Sequence, residues 1–469
     1  MNYIVYGLGV SGISAAKYLI KNNYKVIVTD DNDAAIEAFR SKLAPEISQH
    51  PQENIKFIKS SEIANECTAD TVVVFAPGIP LYHPKPHKII EIVKKSGAKL
   101  LCDIELFYLL NSAGKTFLGI TGTNGKSTTT ALTGFIFDEL KIDAQIGGNI
   151  GVPCFELSNV QNYVFEISSY HLDLMEKTHF KTAVLTNITP DHIDRHGSFE
   201  NYIAVKKKIF LNQGEKDYAI IGVDNEYSKN IFTELKSDTG FKAALVSVST
   251  QKVCDGGVAV INGYLYNKID GAMSDISLEG IILKGEHNMQ NVAMAFASVY
   301  CTLHKVLDSK ELEQKIIAAI KKFKGLRHRM QLLGNIDGIN FINDSKATNA
   351  ESTENALKSY ENIFWILGGK AKDGGISSLQ PYFAKITKAY LIGEASDQFA
   401  EVLQKNNVEF EKCFDLKNAF NRAFLDAKKS SLKERNILLS PACASFDQWK
   451  NFEERGDYFC TAFDEIKKI

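Results

Sequence analysis

The sequence predicts an α/β protein of three domains, each built around a parallel sheet. Three observations carry that prediction. A chain of 469 residues is too long for one ordinary core and suits units of roughly 150 residues. Short apolar runs alternate with helical stretches toward both ends, which is the pattern of parallel strands joined by helices. Two glycine-rich turns each leave a strand and open a helix. With 45% hydrophobic residues, 23% charged residues and a formal net charge of -2, the composition suits a globular protein. It offers no bulk attraction to nucleic acid or to an anionic membrane.

In the first domain strands are expected at Tyr3–Tyr6, Lys25–Thr29 and Thr71–Phe75. Gly7, Gly9 and Gly12 follow the first strand and Asp30 closes the second, so the dinucleotide fingerprint is formally complete. Such a turn supplies N–H groups to any diphosphate, and Asp30 can accept a hydrogen bond from any ribose-like hydroxyl. A nucleotide-linked substrate therefore fits as well as NAD, and an NAD-dependent dehydrogenase is the rival reading. That rival needs a hydride-transfer site, which this stretch does not propose. Pro77-Gly78 either lines the same crevice or is a plain turn.

The second domain carries the most informative segment. The strand Thr116–Ile120 runs into Gly122-Thr123-Asn124-Gly125-Lys126-Ser127-Thr128. Glycines let the backbone curl until several N–H groups face one anion, the following helix adds its positive end, and Lys126 and Ser127 can reach phosphate and Mg²⁺. The segment reads as an ATP site, although the strict spacing wants glycine at Ile120. Strands are expected next at Tyr163–Ile167 and Ala183–Thr186, with Glu166 ending one and His192 just after the other. With Ser127 these are candidate Mg²⁺ ligands, histidine being an uncommon choice for that hard ion. Alone, His192 is more often a satisfied structural side chain.

Gly-rich alternation around Val258 to Leu283 suggests small antiparallel strands. The parallel pattern then resumes at Ile339–Ile342, Ile363–Leu367, Ala389–Ile392 and Asn436–Leu439. Boundaries placed near Asp103 and Leu326 give domains at 1–104, 105–326 and 327–469. Eight cysteines form no Cys-x-x-Cys pair and no zinc-like spacing, so reduced thiols in a cytoplasm are expected. A strand follows Met1 almost at once without a basic leader, and no run reaches about 18 apolar residues. Neither export nor membrane insertion is expected.

Together the Gly-Thr-Asn-Gly-Lys-Ser loop, Gly148-Asn149-Ile150-Gly151, Glu166-Ile167-Ser168-Ser169, Asp191-His192-Ile193-Asp194 and Gly285-Glu286-His287-Asn288-Met289-Gln290-Asn291 resemble, in order and spacing, the ATP-dependent Mur ligases of bacterial cell-wall synthesis. The resemblance spans essentially the whole chain. Its C-terminal motifs are Asn343-Asp344-Ser345-Lys346-Ala347-Thr348-Asn349, Ser440-Pro441-Ala442-Cys443-Ala444-Ser445 and Asn451-Phe452-Glu453-Glu454-Arg455-Gly456. They are most similar to the branch that joins D-glutamate to UDP-N-acetylmuramoyl-L-alanine.

The resemblance implies an N-terminal Rossmann-like domain, a central P-loop ATPase-type domain with a small added antiparallel sheet, and a C-terminal Rossmann-like domain. It implies that Gly122 through Thr128 hold ATP with Asn288, Asn291, Arg329 and Asp344. Val10, Ser11, Asp30, Gly78, Asn149 and His192 would bind the UDP-substrate. Thr348, Lys372, Ser445 and Phe452 would bind the amino acid. It also implies a carbamylated lysine at Lys206 and two Mg²⁺ ions held with Ser127, Glu166 and His192. Lys126, Lys206, His192 and Lys346 take the catalytic roles. On residues alone, Lys206-Lys207-Lys208 would read as a solvated helix face.

Two departures from the family pattern stand out: Asp31-Asn32 replaces a usual Thr-Arg, and Tyr170-His171 a usual Phe-Gln. A folylpolyglutamate synthetase-like ligase is the enzyme rival. It would lack the domain of roughly a hundred residues that precedes the ATP loop here. A non-catalytic nucleotide-binding module would bind ATP without turnover, which Lys126, Glu166, His192 and Asp344 weigh against. A monomer is the default expectation.

Overall fold

A computed structural model of the chain describes residues 2–47, 50–371 and 375–468; Lys372 lies outside them. Three sheets are present. The first comprises β1 (Asn2–Tyr6), β2 (Lys25–Thr29), β3 (Ile55–Phe57), β4 (Thr71–Phe75) and β5 (Lys99–Leu101), all parallel, in the order β3-β2-β1-β4-β5. Strand order reverses beside β1, so the turns after β1 and β4 open a crevice at the carboxyl edge. The side chains of β4 are buried along its length, as an uninterrupted Thr-Val-Val-Val-Phe run requires when helices cover both faces.

The second sheet has nine strands: β6 (Thr116–Thr121), β7 (Ala144–Gly148), β8 (Asn162–Glu166), β9 (Thr182–Leu185), β10 (Tyr218–Gly222), β11 (Ala244–Ser249), β12 (Gly257–Ile261), β13 (Tyr264–Asn267) and β14 (Ser274–Ser277). Their order is β14-β13-β12-β11-β10-β9-β6-β8-β7. The antiparallel strands expected from the sequence are there, but they extend the main sheet rather than forming one of their own. Strand β12 pairs parallel to β11 through Gly257 opposite Ser247, where a Cβ would lie 2.3 Å from the Ser247 Oγ. Asn262 and Gly263, both at positive φ, then turn β12 back onto β13 as a two-residue hairpin.

The third sheet contains β15 (Gln331–Ile336), β16 (Ile339–Asn343), β17 (Ile363–Gly368), β18 (Ile386–Ile392), β19 (Phe410–Phe414) and β20 (Arg435–Leu439), in the order β15-β16-β20-β17-β18-β19. Only β15 runs antiparallel. Separate apolar clusters cover its two faces, one around Trp365 and Phe399 and the other around Phe341 and Phe420.

The chain divides into two compact units, Met1–Glu279 with Gln290–Ile320, and Gly280–Met289 with Lys321–Ile469. The first unit holds two of the sheets, because the helix Asp103–Asn111 runs through the expected 104/105 boundary and belongs to both cores. Its Phe107 ring meets Phe117, Phe155, Tyr163 and Phe165, while the Tyr18 ring of the first domain lies tilted at 4.7 Å from Phe155. Glu105 on the same helix is fully buried and accepts from the backbone N–H groups of Glu176, Lys177 and Thr178 and from the Thr178 hydroxyl. All eight cysteines are free thiols. Among the described residues no helix is long and apolar enough to cross a membrane.

Candidate active site

The ATP-type loop leaves β6, the strand beside which chain order reverses between β8 and β9. Its shape is imposed by close approaches that only glycine allows. Gly125 has φ +85°, and a Cβ there would lie 2.3 Å from the Asn291 Oδ1. Asn291 also accepts from the Thr129 hydroxyl at 3.3 Å, so this predicted nucleotide residue is set against the loop. The Asn124 N–H donates to the Asn187 Oδ1 at 2.9 Å, and the Thr123 hydroxyl meets the Tyr202 hydroxyl at 3.0 Å. The helix Lys126–Glu139 starts at the loop's end, with Ser127 and Thr128 buried in its first turn. The Lys126 ammonium donates to the Gly122 and Thr123 carbonyls at 2.8 and 2.6 Å.

Beside this loop opens a cavity of about 570 Å³ lined from both domains of the first unit, by Val10, Ser11 and Gly78 on one side and by Lys126, Asn149, His192 and Lys206 on the other. The resemblance implies roles for these residues in binding ATP, UDP-substrate and metal from separate segments of the chain, and the fold brings them to one cavity. Of the three consecutive lysines, Lys207 pairs with Glu234 on the surface. Lys206 is 2% exposed and donates to the Thr121 hydroxyl at 3.0 Å and the Gly122 carbonyl at 2.8 Å. Burial, reinforced by the nearby Lys126 charge, holds its pKa well below the usual lysine range.

Glu166, 2% exposed at the end of β8, accepts from the Asn149 side-chain amide at 2.9 Å with one oxygen. Among the described residues its other oxygen, also buried, has no hydrogen-bond partner. A buried, half-satisfied carboxylate is costly unless a cation or donor meets it, so the site fits a divalent cation. Among the described residues no three His, Cys, Asp or Glu side chains cluster tightly enough to hold a metal on their own. A magnesium site here would draw on one carboxylate, the Ser127 hydroxyl and further oxygen donors. His192 is in the left-handed region at φ 52°. One ring nitrogen lies 3.2 Å from the Tyr170 hydroxyl and the other 3.4 Å from Asp191.

The first glycine turn is tied differently. Asp30 accepts from the Leu8 N–H at 2.6 Å and the Asn32 N–H at 2.8 Å, so one oxygen anchors the glycine turn and the other the loop that follows β2. Asp31 binds Tyr6, His87 and Lys88, and these partners hold its carboxyl down to about 2 against the opposing effect of burial. Sequence reasoning did not single out Arg195, which is 5% exposed. It donates to the Pro77 and Ile79 carbonyls and lies 4.8 Å over the Tyr170 ring. Its place directly after the Asp-His-Ile-Asp segment was the available signal.

In the second unit, Asp344 lies just beyond β16, buried, accepting from the Met330 N–H at 3.0 Å and the Ser440 hydroxyl at 2.7 Å. Burial pushes its pKa up to about 7 despite those donors and Arg329. The Lys346 ammonium lies 5.5 Å over the Phe452 ring. Phe452 accepts through its carbonyl from Ser345, and Ser345 is in turn held by the fully buried Arg455. Asn288 is buried and donates to the Lys284 carbonyl. Ser445 is buried and Thr348 half-buried after β20 and β16 respectively.

Family models match over three stretches: the Mur ligase MurD-like N-terminal domain at residues 1–99, the Mur ligase middle domain at 120–299, and the Mur ligase glutamate ligase domain at 328–443. A relative from Rickettsia bellii, named UDP-N-acetylmuramoylalanine--D-glutamate ligase, is 40% identical across 99% of this chain and 98% of its own length. The chain belongs to the Mur ligase family. A relative of the same name from Wolbachia pipientis is 38% identical across 99% of the chain and 97% of its own length. Solved Mur ligases share the fold at low identity. The UDP-N-acetylmuramate-alanine ligase MurC of Thermotoga maritima gives a TM-score of 0.57 at 15% identity, covering 100% of this chain and 99% of its own. MurF of Acinetobacter baumannii gives 0.57 at 14%, covering 87% and 92%. As a Mur ligase, this chain is an ATP-dependent ligase of peptidoglycan synthesis.

Proposed function

We propose that this Mur ligase joins the alanyl carboxylate of UDP-N-acetylmuramoyl-L-alanine to the amine of D-glutamate, cleaving ATP to ADP and phosphate, as a cytoplasmic monomer. The observation that carries the reading is the shared cavity. First-domain residues Val10, Ser11 and Gly78 face the same space as Lys126, Asn149, His192 and Lys206, so a nucleotide-linked acid and a triphosphate can meet there. Near-full-length identity to D-glutamate ligases selects the amino acid.

Direct condensation of a carboxylate with an amine is uphill in water, so the substrate carboxylate first attacks the γ-phosphate to give an acyl phosphate. The glutamate amine then attacks that carbonyl, and phosphate leaves. Lys126 offsets charge on the transferring phosphoryl group, and the loop N–H groups fix the chain of phosphates. Ser127, Glu166, His192 and Lys206 would hold two magnesium ions, which when bound offset charge on the phosphates. Lys206 has the features of a carbamylation site: a buried amine, shifted toward its neutral form, can attack CO₂, and the resulting carbamate replaces a cation with oxygen donors. Asn288, Asn291, Arg329 and Asp344 hold the nucleotide in this reading, Lys346 steadies the phosphoryl group, and Thr348, Lys372, Ser445 and Phe452 take D-glutamate. Asp30 would accept a ribose-like hydroxyl while anchoring its turn. Domains at 1–104, 105–326 and 327–469 divide these tasks.

Phosphate release should be measured with ATP, Mg²⁺, UDP-N-acetylmuramoyl-L-alanine and one amino acid at a time. Release is expected with D-glutamate and not with L-glutamate, D-alanine or diaminopimelate; another preferred amino acid would overturn the substrate assignment. The carbamate is read separately, as a ¹³C signal from ¹³C-bicarbonate that is lost in Lys206→Ala. A signal that persists in that variant refutes the modification at this position.

A further inference from the structure

Ser168 and Ser169, adjacent in the chain, both line the cavity, as does the edge of His171, and each serine has its own buried histidine and aspartate. The Ser168 Oγ lies 2.6 Å from the His171 Nδ1, and the His171 Nε2 lies 3.5 Å from the Asp103 Oδ1. The Ser169 Oγ lies 3.0 Å from the His196 Nε2, and the His196 Nδ1 lies 3.5 Å from the Asp173 Oδ2. All four histidine and aspartate side chains are at most 7% exposed. Two strings thus reach the cavity wall from different elements, with Asp103 and Asp173 far apart in the chain.

The proton positions follow from these contacts. A neutral imidazole carries one N–H and one lone pair, and at 3.5 Å a buried carboxylate repels the lone pair and favours the N–H. Among the described residues the Asp103 Oδ1 has no hydrogen-bond partner, so the His171 ring is the nearest group to meet its charge. His171 then carries its proton on Nε2 and His196 on Nδ1, leaving the nitrogen that faces each serine as an acceptor. Each seryl O–H must donate to its imidazole. Burial keeps both rings toward their neutral forms, His196 down to about 4 with Arg195 adding to the effect.

We infer that His171 and His196 are positioning residues that turn both seryl protons away from the cavity, so that Ser168 and Ser169 present only lone pairs to it. The Ser168 Oγ also accepts from the His171 backbone N–H at 3.2 Å, which leaves it one lone pair. Such a pair of acceptors selects hydrogen-bond donors, namely the amide N–H and hydroxyl groups of the sugar and amino-acid portion of the substrate, and disfavours phosphate oxygens. This inference rests on the proposed substrate, but the proton arrangement does not.

The test therefore has two arms. Long-range ¹H–¹⁵N correlation spectra of histidine-labelled enzyme without substrate, assigned through His171→Gln and His196→Gln, should show neutral rings at pH 7.5. The proton should sit on Nε2 of His171 and Nδ1 of His196. The opposite tautomers or an imidazolium would overturn the arrangement whatever the substrate is. In kinetics, His171→Ala should raise KM for UDP-N-acetylmuramoyl-L-alanine about tenfold, the worth of one hydrogen bond to substrate, with kcat and KM for ATP unchanged. His171→Gln, whose amide can donate to Asp103 and accept from Ser168, should bring KM back to within about twofold. Equal losses in kcat and in KM for ATP, or no rescue by Gln, would reduce His171 to a structural role and overturn the inference. A wild type that turns over with no UDP-amino-sugar would instead sink the substrate reading, leaving the spectra to decide the inference.

Discussion

The two glycine turns of the first unit start alike and end as different instruments. Each leaves a central parallel strand at the point where strand order reverses and opens a helix, so each presents backbone N–H groups to an anion. Around the turn after β1 there is no lysine at the helix start; its anchor is Asp30, one of whose oxygens takes the Leu8 N–H. Around the turn after β6, Lys126 and Ser127 open the helix, Glu166 ends the neighbouring strand β8, and Lys206 reaches the Gly122 carbonyl from the helix Phe199–Lys207. A glycine turn by itself therefore states only that phosphate can be approached. The charges beside it decide whether phosphate is held or transferred.

The largest expected effect breaks the second turn. Lys126→Ala should lower kcat about 10³-fold or more, since it removes the cation placed at the transferring group, while thermal stability changes little. A loss under tenfold would mean that the β6 turn only binds, the role proposed for the β1 turn.

A third strand end, after β16, extends the contrast, because there a buried carboxylate takes the place of a lysine. Asp344 carries a pKa raised by burial from 3.8 to about 7, so between those values the folded chain holds this proton and the unfolded chain does not. Stability falls as pH rises through that window and stays lower above it. Asp344→Asn should remove this dependence. Its thermal midpoint should match the parent near pH 4 and exceed it at pH 8, by on the order of 2–4 kcal/mol in unfolding free energy, while turnover drops about 10²-fold through loss of the charge. Parallel stability curves for the two proteins from pH 4 to 8 would show that Asp344 is not strained by burial.

Gly125→Ala tests backbone rather than charge. With φ +85° and Asn291 in the way, it should cost about 1–3 kcal/mol and raise KM for ATP, measured by denaturant melts and initial rates. Asp30→Ala should loosen the β1 turn and raise KM for the UDP-substrate about tenfold with KM for ATP unchanged; a shift in both would couple the turns and erase the contrast.

How far this was readable from sequence follows the same division between local and assembled features. Lys25–Thr29 and Thr71–Phe75 were placed to the residue because short β-branched runs bounded by polar residues read clearly as strands, the second buried on both faces. Strand β7, Ala-Gln-Ile-Gly-Gly, and the three-residue β5 carry too little apolar pattern to announce themselves. The antiparallel strands were legible, but their attachment to β11 depends on Gly257 meeting Ser247, a non-local pairing. Lys206 could be chosen from its neighbours only by resemblance. What singles it out physically is burial against β6, and no lysine run discloses which member faces inward. The histidines behind Ser168 and Ser169 were invisible for the same reason, since their aspartates come from Asp103 and Asp173. Glu105 could have been found: a carboxylate inside Asp-Ile-Glu-Leu-Phe needs buried donors, and the Glu176 to Thr178 backbone supplies them.

The smallest change discriminates most finely. Gly9 has φ -73° and ψ -175°, a conformation open to any residue, and a Cβ built there meets nothing within 4 Å. Gly9→Ala therefore creates no strain in the folded chain and restricts the unfolded one, so stability should stay level or rise by about 0.4–1 kcal/mol. Packing gives this glycine no reason to exist. If a diphosphate is cradled by the β1 turn, the methyl occupies the space into which phosphate oxygens must come, and KM for the UDP-substrate should rise severalfold with kcat and KM for ATP untouched. An alanine variant with unaltered KM for the UDP-substrate would leave the β1 turn without a phosphate to hold, and the likeness between the two turns would be one of backbone shape alone.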